Sequence, residues 1–322
     1  MNKKTLLILA FCMIIISVQM PVDTMAALDD VYYRTGSDPK EVYYGAEDKP
    51  ILVDGYYCDL SGPYRTIYAT ECKGKVLEFP TVIQYNHKSY KIRVIYEVPK
   101  GEESYHHYFE WCDYFLEYQN KNQVEKIKIP NGITQVYMRT LHTWKNLKEI
   151  RIPASVTKKY LYLSHTNGKV VIDKKNKKYK TSGNGVYTKD TKKLRATFGT
   201  KKTFTVKKGT KSVEWEAFWY YKNLKKVIFP SSIQSVELPA FRGCKNLKSI
   251  TFQGKKAPSF GKKSYLERYE MEPEDEGKDA ALKDIPKKVT VYVKNKAVKK
   301  SIEKTLKIGN LKKLKWKVKV KK

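Results

Sequence analysis

The amino-acid sequence predicts a mainly β solenoid with 23-residue coils, short helical or irregular crossings, a non-repeat cap at the N-terminal end and a basic helix-plus-strand cap at the C-terminal end. A strand-like segment that ends in proline recurs at fixed spacing: Val124 to Pro130 returns as Leu147 to Pro153, which puts Ile129 and Ile152 23 residues apart. Further along, Val206, Phe229 and Phe252 follow one another at the same step. A second pattern precedes each strand, a large apolar residue, two variable ones, an aromatic or sulfur residue, two more and then Leu or Phe. It fits Phe109 to Phe115 around Cys112, Leu141 to Leu147 around Trp144, Phe218 to Leu224 around Tyr221, and Phe241 to Leu247 around Cys244.

Each part of the repeat has a physical role. Alternating apolar residues send every second side chain inward. Proline cannot donate to a ladder, so Pro130, Pro153 and Pro230 mark where pairing ends and the chain turns. The aromatic segment crosses back, and stacking one coil on the next buries Ile, Leu and Phe that no single coil could bury. On this reading Cys112, Trp144, Tyr221 and Cys244 fill equivalent core positions, and Ile129, Ile152, Val206, Phe229 and Phe252 form the strand ladder.

The coils resemble the BspA-like, bacterial surface-antigen type of leucine-rich repeat. The segment Phe229-Pro230 to Ile233, then Pro239-Ala240-Phe241 to Cys244 and on through Leu247 to Ile250, matches that class best, and Ala217-Phe218 supports it. The span from Val171 through Asn176, Tyr179, Asn184, Gly185 and Leu194 resembles the strand and hairpin interposed in that family. Three places depart from its pattern, Val136-Tyr137, Val213-Glu214-Trp215 and the stretch from Tyr105 to Gln123, which is longer than a coil needs, and bulged or aromatic-filled coils are expected there. The resemblance implies adhesion to host matrix, glycan or neighbouring cells.

In chain order, residues 1–26 read as a secretory signal peptide: Lys3 and Lys4, an apolar run from Thr5 to Val18, then a small-residue exit with cleavage between Ala26 and Ala27. The apolar run is shorter than the roughly 20 residues a spanning helix needs, and an uncleaved anchor is the competing reading. Residues 27–75 lack the period and form the N-terminal cap. The solenoid spans 76–260, opened by a hairpin from Val82 to Ile95 and carrying a hairpin insertion near 176–200. An acidic exposed insertion occupies 261–284, and a Lys-rich terminal coil and cap occupy 285–322. In that cap Val298, Ile302 and Leu306 mark an amphipathic helix ended by Gly309, and Leu311 to Val320 read as a closing strand whose alternating lysines blunt edge pairing.

Lys and Arg outnumber Asp and Glu by 64 to 33, a formal net charge of +31. Such an excess concerns partners and solubility and not fold. It fits an extracellular protein or glycan partner, or anionic wall polymers held by the Lys-rich surface, with nucleic acid bound only non-specifically; a solvated lysine coat is the bland alternative. The localisation expected is extracellular, secreted or cell-wall associated, with no membrane span.

No constellation for catalysis is expected. The sequence holds no Gly-rich phosphate loop, no nucleophile elbow and no calcium-loop spacing in the acidic segment. His106, His107 and Glu110 lack a helical metal-binding arrangement, and Cys112 beside His106, His107, His142 or His165 is better explained as core than as a thiol nucleophile. No cofactor, metal or catalytic residue is therefore assigned. Cys58 and Cys72 could close a short loop in the cap, a bridge worth about 3 kcal/mol if the geometry permits.

Overall fold

The computed structural model of the chain describes residues 34–35, 42–43, 51–54, 56–60, 65–70, 72–96, 118, 120–157, 161–260 and 284–321. The Ala26–Ala27 cleavage site, Cys112, the His106–His107 pair and the acidic segment up to residue 283 lie outside them. Strands β1 (Arg34–Thr35) and β2 (Val42–Tyr43) pair antiparallel in a unit of their own.

The second unit starts with an antiparallel meander of β3 (Ile51–Val53), β4 (Tyr56–Asp59) and β5 (Arg65–Thr70). Strand β6 (Val76–Glu78) is followed by the hairpin of β7 (Val82–Tyr85) and β8 (Lys88–Tyr96). Asn86 and His87 make its two-residue turn with φ of 47° and 60°, the left-handed pair that a twisted hairpin favours.

Parallel coils then take over. Strands β9 (Lys126–Lys128), β11 (Glu149–Ile152) and β13 (Lys169–Ile172) extend the primary ladder begun by β6, while β10 (Gln135–Met138) and β12 (Leu161–Leu163) extend a second ladder from β8. An antiparallel hairpin of β14 (Tyr179–Ser182) and β15 (Gly185–Thr188) leads into β16 (Lys193–Thr197). A second primary ladder runs through β17 (Thr203–Thr205), β19 (Lys226–Phe229), β21 (Ser249–Phe252), β22 (Thr290–Val293) and β23 (Lys317–Val320). Beside it, β18 (Ser212–Val213) and β20 (Ser235–Val236) continue from β16. The chain is a mainly β solenoid, with a helix, α1 (Lys296–Thr305), between its last two strands.

The 23-residue step is the coil. Ile127 faces Ile150 and Val170 in register, and Val227 faces Ile250, Val291 and then Val318, all buried. Rings stack in the same manner, Phe229 on Phe252 at 5.0 Å and Phe218 on Phe241 at 5.4 Å. After Pro153 and Pro230, a serine joins two coils. Ser155 Oγ donates to the Ile133 carbonyl and accepts from the Gly132 N–H, and Ser232 Oγ treats Thr210 and Gly209 likewise. Gly132 and Gly209 hold φ of 110° and 90°, which is why glycine stands at both turns.

Two places differ from the sequence reading. Strand β10 pairs with β8 and β12 without a bulge: Tyr137 points outward and stacks between Tyr96 and Tyr162, with centroids 4.8 and 5.2 Å away. At the C-terminal end, the closing strand covers only Lys317–Val320, and a 3-10 turn occupies Gly309–Lys313. The spacing explains this. Leu311 and Leu314 are three apart and both buried, which suits a three-residue turn, whereas Trp316 and Val318 follow the strand period of two.

Buried apolar residues fall into two clusters. One runs from Val53 to Phe198 and the other from Tyr187 to Val318, so the apolar core divides where the inserted hairpin separates the two primary ladders.

Candidate functional site

A polar layer fills the division between the cores. Arg139 Nε pairs with Glu216 at 2.9 Å with both side chains nearly buried, and Arg195 pairs with Glu214 at 3.1 Å. Both guanidinium groups also lie over the Tyr162 ring, at 5.4 and 5.0 Å. His142 stacks on Tyr220 at 3.9 Å, His165 stacks on Tyr221 at 3.6 Å, and the His165 N–H of the backbone donates to the Trp219 carbonyl. Burial pushes the His142 imidazole down to about 4, with the Lys222 charge adding to the effect, and burial pushes His165 down to about 3. Both rings are therefore neutral at pH 7 and serve as flat packing and hydrogen-bonding surfaces.

Among the described residues, the tryptophans offer little free surface. Trp144, Trp219 and Trp316 are buried and Trp215 is half-buried. Tryptophan faces are the usual platforms for sugar rings, so recognition by exposed tryptophan loses most of its support here.

What the solenoid does expose is the outward face of its primary ladders, and the two halves differ there. In the first half Glu125 sits between Lys75 and Lys148 on successive coils, at 3.2 and 2.7 Å, and those two lysines hold its carboxyl below the usual carboxylate range. Glu149 joins Lys126 and Arg151, and Lys128 contacts Glu78. In the second half the positions matching Lys75, Glu125 and Lys148 are Lys202, Lys225 and Lys248, all exposed. The pairing pattern is the same: Lys225 N–H donates to the Lys202 carbonyl and Lys248 N–H to the Lys225 carbonyl, as Glu125 and Lys148 do one after the other in the first half.

The residues singled out in the sequence are almost all interior. Ile129, Ile152, Val206, Phe229, Phe252, Trp144, Tyr221 and Cys244 are buried. Cys244 donates its thiol hydrogen to the Phe218 carbonyl at 3.0 Å, and burial pushes the thiol well up, the opposite of a reactive nucleophile. Cys58 and Cys72 are both buried thiols near Tyr56, and Cys58 donates to the Tyr56 carbonyl. The structure draws His142 and His165 towards Tyr220 and Tyr221, an association without a sequence motif. The lysine column was visible in principle, since Lys202, Lys225 and Lys248 obey the 23-residue step.

A family model, the BspA type leucine rich repeat region, matches residues 116–186 and 197–272 in six copies. The matched coils are BspA-type leucine-rich repeats. The matched residues lie on both sides of the polar layer, so each core contains BspA-type coils. No curated protein matches the chain. Among solved structures it is similar to the pneumococcal vaccine antigen PcpA, at 13% identity over 85% of this chain and 98% of that one, with a TM-score of 0.23. It is similar also to a leucine-rich repeat protein from Bacteroides ovatus, at 16% identity over 76% of this chain and 55% of that one, TM-score 0.32. A third, from Eubacterium ventriosum, shares 14% identity over 78% and 79%, TM-score 0.31. The chain thus spans about half the length of the Bacteroides ovatus protein. No helix among the described residues is long and apolar enough to cross a membrane.

Proposed function

We propose that this chain is a secreted or cell-surface binding protein that adheres to an acidic extracellular partner, a matrix protein or glycan of a host or a neighbouring cell, through the outward faces of its BspA-type coils. The observation that carries this reading is the lysine-lined face of the second primary ladder, set against the buried tryptophans. Charge on an extended face steers and holds acidic partners without a deep pocket. The signal-like first 26 residues support a site of action outside the cell. The test is binding of residues 27–322 to a panel of matrix proteins and glycans, beside a folded control protein of equal net charge. Binding above that control supports adhesion; binding equal to it sinks it.

A second reading, a structural protein held at the wall by charge alone, draws support from β23, an edge strand with Lys317, Lys319 and Lys321 exposed. Release from washed cells by high salt would favour it, and full recovery from low-salt medium would exclude it.

A further inference from the structure

The lysine column differs from a general lysine coat in one respect: its position within the repeat is one at which the other half of the molecule carries a carboxylate. Successive strands stand about 4.8 Å apart. Like charges placed directly across such a ladder repel. The first half avoids this with Glu125 between Lys75 and Lys148, and with Glu149 beside Lys126. In the second half Lys202, Lys225 and Lys248 stack with nothing acidic between them, and the neighbouring position continues as Thr203, Lys226 and Ser249. Lys222 and Lys245, also one coil apart and exposed, flank the column one crossing earlier, where Asn246 Nδ2 donates to the Lys222 carbonyl. Among the described residues, no ion pair involves Lys202, Lys225 or Lys248. Over residues 198–260 the only acidic side chains are Glu214, Glu216 and Glu237, and the first two pair with Arg195 and Arg139.

We propose that the Lys202–Lys225–Lys248 column is the binding site for a flexible phosphodiester polymer laid along the solenoid axis across successive coils. This deepens the proposed recognition of an acidic partner and rests on it. The chemistry fits phosphate in three ways. Lysine ammonium groups bind phosphate as point charges and do not require one fixed planar geometry. A column with a repeat of one strand spacing presents charge along a line, which a chain of phosphates can follow. The column positions hold lysine with serine and threonine beside them and no exposed aromatic ring, so the stacking that holds single-stranded nucleic acid is missing, and a polymer without bases is favoured.

The experiment compares the full secreted chain with two triple variants of equal charge: Lys202→Glu, Lys225→Glu and Lys248→Glu together, and Lys174→Glu, Lys177→Glu and Lys300→Glu as a dispersed control, all exposed positions. Poly(glycerol phosphate) is the probe, titrated over a range of salt. The column variant should lose at least about tenfold in affinity with a shallower dependence of log affinity on log salt, while the control stays within about threefold. The single change Lys225→Glu restores the Lys–Glu–Lys order on which the first half folds, and should by itself weaken binding. Equal losses in the two triple variants overturn the site. Tighter binding of single-stranded DNA than of poly(glycerol phosphate) at matched charge overturns the ligand class. If the native chain binds heparin or acidic proteins but not poly(glycerol phosphate), this inference fails alone; if it binds no acidic partner, the broader reading fails with it.

Discussion

The side-chain amide of Asn176 donates to the carbonyl of Pro153, one 23-residue step earlier, at 2.9 Å. The same amide reaches the Val156 carbonyl, and its oxygen accepts from the N–H groups of Lys178 and Tyr179. Asn176 itself is buried. Replacing it with Leu leaves two carbonyls and two N–H groups without this partner, each at a cost of about 1 to 3 kcal/mol before relaxation. Urea unfolding should show a loss of at least about 2 kcal/mol; a midpoint unchanged from the native chain would show that water replaces the amide.

Gly243 tests the fit between two neighbouring crossings. It holds φ of 71°, and an added Cβ would meet the Tyr220 ring at 2.3 Å. Tyr220, one coil earlier, adopts φ of 57° in spite of its side chain. Gly243→Ala should therefore lower stability by about 1 to 3 kcal/mol through backbone strain and displacement of that ring, with a matching fall in melting temperature. Unchanged melting would mean that Tyr220 swings away at no cost.

The neutral histidines set a pH dependence. Both have folded values below the 6.5 of a free imidazole, about 4 for His142 and about 3 for His165. The unfolded chain then binds more protons than the folded one between those values and 6.5, so the stabilisation is complete above about pH 6.5 and declines as pH falls towards 4 and 3. Melting temperature should drop between pH 7 and pH 4.5, and the drop should shrink in His165→Gln. Equal drops in the two proteins would place the acid sensitivity elsewhere.

A fourth expectation concerns sulfur. We propose that Cys58 and Cys72, buried together beside Tyr56, become bridged in the oxidising space outside the cell. Peptide mapping of secreted protein without reductant should recover the linked pair, with Cys244 alkylated only after unfolding. Recovery of Cys58 and Cys72 as separate alkylated peptides would refute the bridge.

The coils were legible because each carries its own copy of the signal. Ile129 and Ile152 occupy the same place for the same reason, so a single step length exposes the strands, the turns after proline and the buried Trp144, Tyr221 and Cys244. The polar layer was not legible in this way. Arg139 and Glu216 stand at equivalent places, each two residues before the crossing that starts at Leu141 or Phe218, but they are 77 positions apart across the inserted hairpin, which is not a multiple of 23, so the step does not link them. Tyr137 misled for a related reason: it departs from the repeat, yet the departure is accommodated outside the core, between Tyr96 and Tyr162. The 3-10 turn at Gly309 left only a short trace, the adjacent Lys312 and Lys313 and the three-residue step from Leu311 to Leu314, which the alternating lysines of the strand that follows overshadow.

The divided core has a mechanical meaning. In a stack of coils each contacts only its neighbours, so a pull on the two ends passes through every interface in series. Where Arg139, Glu216, His142 and His165 replace aliphatic packing, and where the primary ladder is interrupted, the series has its softest link. Tension there would pull one block of coils away from the other while each stayed folded, lengthening the molecule in one step and leaving the lysine column of the second block intact.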